Sequence, residues 1–167
     1  MNESKKIALG GMMAALSIVL LLAGSAIGIG TYAAPMLAAP LLSPVGRAMG
    51  KKYHVLLWIA VSLLGFLLIP DMEQDLMYFG VFGCYPIIRP FFEKQKKGLG
   101  LALKLVYFNT VVVALEALLL FLLVPESMSA VMAVILLVMG NVVFLCYDRL
   151  IPRMEGLLCR YLKGWMG

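Results

Sequence analysis

The chain is expected to fold as an all-α integral membrane protein: a bundle of about six transmembrane helices, both termini cytoplasmic, closed by a short cytoplasmic amphipathic helix. Three observations predict this. Of the 167 residues, 63% are hydrophobic and only 14% charged, and mean hydropathy is +0.98, whereas a soluble domain is near half apolar and a quarter charged. The apolar residues gather in runs long enough to span, separated by short polar, Pro-rich or Gly-rich breaks. Every Lys and Arg falls on one side of an even-numbered topology. A soluble globular enzyme is thereby excluded. Six spans of about 20 residues use about 120, which leaves no room for a catalytic domain outside the membrane.

The first span, 6–28, follows Lys5 and Lys6. Its basic start and the small residues Ala23, Gly24 and Ser25 imitate a signal peptide, but the run is long enough to span and further spans follow it. The second, 32–49, carries Pro35, Pro40 and Pro44, which remove backbone donors and kink a helix. A broken or re-entrant helix is an open alternative there. Spans at 54–70, 74–90, 100–124 and 129–151 follow, with breaks at Gly28 to Gly30, Gly50 to Lys52, Pro70 to Glu73, Pro90 to Gly98 and Pro125 to Ser127. These six make one domain, 1–151. In the tail, 152–167, Leu157, Leu158, Tyr161 and Trp165 interleave with Arg153, Arg160 and Lys163, the pattern of an interfacial helix that anchors the chain or docks a cytoplasmic partner.

The charges orient the spans. Lys5 and Lys6 precede the first, Arg47, Lys51 and Lys52 separate the second and third, and Arg89, Lys94, Lys96 and Lys97 separate the fourth and fifth. Arg149, Arg153, Arg160 and Lys163 follow the sixth, and Lys104 in the first turn of the fifth is placed to snorkel to the same side. The opposite side holds Asp71, Glu73, Asp75 and Glu126. By the positive-inside rule these acids are external. The formal net charge of +5 is thus accounted for by topology, and no nucleic-acid partner is expected.

The sequence lacks the common catalytic and cofactor patterns. Cys84, Cys146 and Cys159 lie in or near the cytoplasmic half, where thiols stay reduced. No short-spaced pair accompanies the single histidine, His54, so no metal site is read and His54 is taken as a solvated interface residue. Met12, Met13, Met132 and Met139 lie in apolar spans and are read as packing. The glycine pairs at Gly10-Gly11, Gly28-Ile29-Gly30 and Gly98-Leu99-Gly100 lack the phosphate-loop spacing. No cofactor and no catalytic residue is assigned.

What remains is polar chemistry inside the membrane. Glu116 lies in span five about eight residues, roughly 12 Å, from the external end, where a carboxylate is costly unless protonated, paired or facing water. Asn109 is two turns away on the same face, and Asn141 of span six has a comparable depth. They are candidates for a polar seam, or for hydrogen bonds that join helices. Tyr78, Phe82 and Tyr85 put three rings on one face of span four, suited to a flat or cationic molecule if Glu116 is near and to plain packing if not. Asp71, Glu73 and Asp75 are read as solvated loop charges able to attract cations. Asp148 and Arg149 are expected to pair with neighbours. Small-xxx-small pairs occur at Gly10 and Ala14, Gly11 and Ala15, and Ala34 and Ala38, and let helices or another protein approach closely.

A chain of this length, with six short spans and a small-residue first helix opening Lys5-Lys6-Ile7-Ala8-Leu9-Gly10-Gly11-Met12-Met13-Ala14-Ala15-Leu16, resembles the substrate-binding S components of energy-coupling factor transporters. The resemblance covers nearly the whole chain in architecture. It implies a bacterial inner-membrane protein that binds a vitamin-like micronutrient in its external half under the loop after span one. A transmembrane coupling subunit and two cytoplasmic ATPases would drive release. By depth, Tyr78, Tyr85, Asn109, Glu116 and Asn141 would line the pocket, and Gly10, Gly11, Ala14, Ala15, Ala34 and Ala38 would dock the coupling subunit. The family's strict Ala-x-x-x-Ala motif is absent from span one and occurs at Ala34 and Ala38. The external acids and Glu116 favour a cationic or amine-bearing substrate. Two other classes fit the same composition: a structural scaffold resembling the small MreD-like proteins of cell elongation, and an autonomous transporter or channel subunit, although no inverted repeat is visible.

Overall fold

A computed structural model describes residues 3–27, 30–122 and 130–166. Glu126 and the break at 125–127 lie outside the described residues, as do the side chains of Lys97, Met132, Lys163 and Trp165. The described chain is helical without a strand: α1 (Glu3–Ile27), α2 (Ala33–Ala38), α3 (Ser43–Met49), α4 (Lys51–Leu68), α5 (Met72–Met77), α6 (Tyr85–Glu93), α7 (Lys97–Leu122) and α8 (Ala130–Met166). Four helices are long and apolar enough to cross a membrane: α1, α4, α7 over Gly98–Leu119 and α8 over Val134–Leu162.

The two shorter stretches are segmented for local reasons. Between α2 and α3 the chain stays helical through a 3₁₀ turn, Ala39–Leu42, so that Ala33 to Met49 forms one kinked rod. Pro40 and Pro44 stand in the first turns of the 3₁₀ and α3 segments, where a missing N–H costs least. The Ala38 carbonyl beside the kink accepts a bond from Ser17 Oγ of α1 at 3.2 Å. Between α5 and α6 lies a π turn, Tyr78–Phe82, closed by Gly83 N–H donating to the Tyr78 carbonyl at 2.7 Å. Carbonyls of this turn are taken by tyrosines from the neighbouring helices: Tyr107 of α7 donates to Gly80 O at 2.6 Å and Tyr147 of α8 to Phe82 O at 3.1 Å. The turn is thus held in place by side chains of two neighbouring helices.

Polarity in α4 is inverted relative to a soluble helix. Its buried side carries His54, Val61, Ser62 and Gly65, while Leu56, Leu63, Phe66 and Leu67 are exposed. Helix α8 likewise buries Phe144, Tyr147 and Ile151 and exposes Val134, Ile135, Val138 and Met139. A helix that turns its aliphatic side outward suits an apolar surrounding, so the structure is compatible with a membrane protein. Helix α8 runs through Pro152 unbroken to Met166, so the tail continues the last long helix.

The bundle has two chemically different ends. At one, Gly50, with φ of +100°, reverses the chain between α3 and α4, and Arg47 of α3 pairs with Glu155 of α8 at 2.6 Å. At the other, Thr31 Oγ1 donates to Asp71 at 2.8 Å and the Tyr32 hydroxyl donates to Glu73, fastening the segment before α2 to the start of α5.

Candidate functional site

Polar side chains inside the bundle fall into two classes, those whose hydrogen bonds are complete and those left open. The first class holds most of the residues that sequence reasoning favoured. Asn109 of α7 and Asn141 of α8 exchange amide bonds at 2.8 and 2.9 Å, and each also donates to its own helix, to Leu105 O and Leu137 O. All four amide N–H bonds are used. The pair therefore joins two helices. Tyr85 is fully buried and donates to Asp148 Oδ1 at 2.6 Å.

Asp148 is a hub. Besides Tyr85 it accepts Arg89 Nε at 2.9 Å and Lys104 Nζ at 2.7 Å, and Arg89 reaches Glu93 through Nη2 at 2.6 Å. Lys104 does not snorkel to the surface: it is 8% exposed and turned inward, because Asp148 offers it a carboxylate at the depth where a snorkelling chain would find only an interface. An open cleft of about 340 Å³ adjoins this end, lined by Ser43, Arg47, Lys51, His54, Arg89 and Glu155 among others. His54, expected to be solvated, is buried, with Nδ1 against the backbone of Gly46. Glycine at position 46 leaves the ring room to turn inward.

Members of the second class occur in more than one place: Ser43 Oγ and His54 Nε2 are open beside the cleft and Trp58 Nε1 farther along α4, while the set that includes a carboxylate lies at the opposite end, between α4 and the helical run from α5. Asp75, expected in a solvated loop, is fully buried, and neither carboxylate oxygen has a hydrogen-bond partner. Gln74, also fully buried, spends its amide N–H on Leu21 O of α1 at 2.6 Å and leaves Oε1 open. The hydroxyls of Tyr78 and Ser62, both buried, are unpartnered too. The reason Asp75 turns inward is local. Asp71 caps α5 by accepting Gln74 N–H at 3.1 Å, which starts the helix early enough to wind Asp75 onto its buried side, one turn ahead of Tyr78. Gly65 then provides the space, for a Cβ there would fall 2.0 Å from Asp75 Oδ1. The signal was present in the sequence: Asp75 stands three residues before Tyr78 on the same stripe as Phe82 and Tyr85.

Beside this cluster lie the other acids of this end. Asp71 and Glu73 hold Thr31 and Tyr32, and half-buried Glu116 of α7 lies within electrostatic reach of Glu73 and Tyr32. Tyr78 and Glu116 are therefore the two sequence-selected residues found at this end. Asn109, Asn141 and Tyr85 belong to the helix-joining class.

Chain comparisons bring no relative into this account. No protein-family model, curated protein sequence or solved structure matches the chain. Chemistry at the site is therefore read from its side chains alone. Among the described residues, no three His, Cys, Asp or Glu side chains gather to hold a metal ion, and the cysteines are free.

The small-residue pairs divide as well. Gly10 is buried, its face set against Leu57 of α4, and Ala14 packs on the core. Ala34 and Ala38 are buried, 5% and 0% exposed. They admit α1 to α2: a Cβ on Gly24 would lie 2.2 Å from that of Ala34. Gly10, Ala34 and Ala38 are thus buried within the chain, and Ala14 is half-buried against its core. Gly11 and Ala15, with Ala8, face outward.

Proposed function

We propose that the chain is a membrane-embedded substrate-binding subunit for uptake of a small, vitamin-like micronutrient, cationic or amine-bearing, powered by a separate transmembrane coupling subunit and cytoplasmic ATPases. The observation that carries this reading is the buried set of open oxygens on Ser62, Gln74, Asp75 and Tyr78, beneath a segment tied to Asp71 and Glu73. Buried polar groups are ordinarily hydrogen-bonded, and a carboxylate left open together with three further open oxygens marks ligand chemistry more strongly than the single neutral groups left open on Ser43, His54 and Trp58. A scaffold has no use for a carboxylate held open inside it.

Six crossings of the bacterial inner membrane, with both termini cytoplasmic, belong to this reading. Ala33 to Met49 and Met72 to Glu93 are helical stretches of roughly 26 and 33 Å at 1.5 Å per residue, comparable to the hydrocarbon core of about 30 Å. The cation-rich end, where Arg47, Arg89 and Lys104 meet Glu155 and Asp148, is the cytoplasmic one by charge bias. The outward strip of Ala8, Gly11 and Ala15 on α1 is the surface offered to the coupling subunit. The chain carries no reaction of its own.

The test is isolation from the native membrane in mild detergent, with co-purifying proteins and released small molecules identified by mass spectrometry. A coupling subunit with ATPases, and a compound lost from Glu116→Gln, are expected. Recovery of cell-wall or cytoskeletal proteins without ligand refutes the transport reading.

A further inference from the structure

The register of α4 against the run from α5 is fixed by four contacts: Gly65 on Asp75, Phe66 against Phe79 with ring centroids 6.3 Å apart, Trp58 stacked on Phe79 at 5.2 Å, and Gly83 against Trp58. The paired positions move in opposite directions along the two stretches, so they run antiparallel. Ser62 is one turn deeper than Gly65 on α4, and Tyr78 one turn deeper than Asp75 on its own helix. Each step is about 4.5 Å along the axis. The antiparallel register therefore sets Ser62 at the level of Tyr78, one turn from Asp75.

All three are at most 1% exposed, and all their side-chain oxygens are unpartnered. The groups brought to neighbouring levels here are one carboxylate and two hydroxyls, while the Gln74 carbonyl oxygen lies toward Gly24 of α1. A buried carboxylate without a donor is expensive, and hydroxyls can turn their lone pairs toward a cation. An all-oxygen set selects hard cations or ammonium groups over the softer metals that need imidazole or thiolate. One carboxylate balances one positive charge.

We propose that Asp75, with the hydroxyls of Ser62 and Tyr78, forms a binding site for a single positive charge, either a desolvated alkali cation of the sodium class or the ammonium group of a substrate amine. The ammonium source rests on the transport reading above, whereas the alkali source stands without it. Gly65 sets the geometry by letting the carboxylate lie against α4.

The experiment is thermal unfolding of the purified full chain in detergent at fixed pH and ionic strength. Sodium, lithium, potassium or methylammonium chloride is exchanged against N-methylglucamine chloride. A saturable rise in melting temperature with one of these cations is expected, following the linkage of ligand binding to stability. Response to an alkali ion identifies an inorganic cation site, and response to methylammonium alone identifies an amine site. The rise should vanish in Asp75→Asn and need several-fold more cation in Ser62→Ala. Gly65→Ala, which keeps every ligand but displaces the carboxylate, should also lose the response and serves if Asp75→Asn does not fold. A folded wild-type chain indifferent to all four cations overturns the proposal, as does a full response retained in Asp75→Asn or Gly65→Ala. The readout needs no coupling partner. Recovery of a coupling subunit with no cation effect therefore refutes this site alone, and a cation effect without a coupling subunit refutes only the transport reading.

Discussion

Removing the carboxylate of Asp148 should be among the most damaging single changes in the bundle. Asp148 accepts from Tyr85, Arg89 and Lys104 at 2.6, 2.9 and 2.7 Å, and the Arg89 and Lys104 side chains are only 15% and 10% exposed. Asp148→Leu leaves two largely buried cations without their carboxylate. Breaking a buried pair from one side costs about 3–5 kcal/mol, and at about 2–4 °C per kcal/mol for a chain of this size that is a fall of roughly 6–20 °C in melting temperature. Arg89 retains Glu93 at 2.6 Å, so Lys104 carries most of the penalty. Adding Lys104→Met to Asp148→Leu should therefore restore part of the loss, with a coupling of about 1–3 kcal/mol across the double-mutant cycle. Circular dichroism of the purified variants during heating measures both quantities. An Asp148→Leu protein within about 0.5 kcal/mol of wild type, or strictly additive single changes, would refute the argument that the hub is a buried, charge-balanced unit.

Other positions give equally direct tests. Gly24→Ala puts a methyl 2.2 Å from the Ala34 Cβ and should cost about 1–3 kcal/mol by overpacking; Ala34→Gly should recover much of it in the same melting assay, and no recovery would mean that α1 and α2 do not meet there. Asn109→Leu should destabilise by about 0.6–2 kcal/mol, and adding Asn141→Leu should cost less than the sum, because the second amide has already lost its partner; additivity in a double-mutant cycle would break the pairing. Tyr107→Phe removes the bond to Gly80 O and should lower stability by about 1 kcal/mol while raising amide hydrogen exchange in the π turn. Unchanged exchange there would show that the turn is held by its own backbone. Glu116→Gln should weaken capture of the native ligand and leave the melting temperature unchanged, and equal ligand recovery from both proteins would remove Glu116 from the site.

Much of the fold was legible because long apolar helices leave a coarse signal. The expected first span at 6–28 corresponds to α1 at Glu3–Ile27, and that at 54–70 to α4 at Lys51–Leu68. The prolines in 32–49 left a kinked span and a broken helix both open, and the chain there stays helical through a 3₁₀ turn, Ala39–Leu42, next to the Ala38 carbonyl that Ser17 binds. Side-chain roles were less legible. Depth along a helix says nothing about which way around the helix a group points or what it meets, and by depth alone Asn109, Asn141, Tyr85 and Glu116 looked alike. His54 and Asp75 stand beside polar neighbours in sequence and were read as solvated, yet both turn inward where a glycine on the facing element, Gly46 or Gly65, makes room.

The sequence alone determined composition, helical class, the lengths of the apolar runs and the segregation of cations from acids, since each depends only on residue type and order along the chain. The tertiary structure decided which polar groups are closed and which are open. Asn109 met Asn141, and Asp148 met Arg89 and Lys104, so these are satisfied. Asp75 lies against Gly65 without a hydrogen-bond donor and remains open. The physical reason is that hydrogen bonding is short-ranged and directional: whether a buried oxygen finds a donor depends on the register of two helices that one chain's periodicity does not fix.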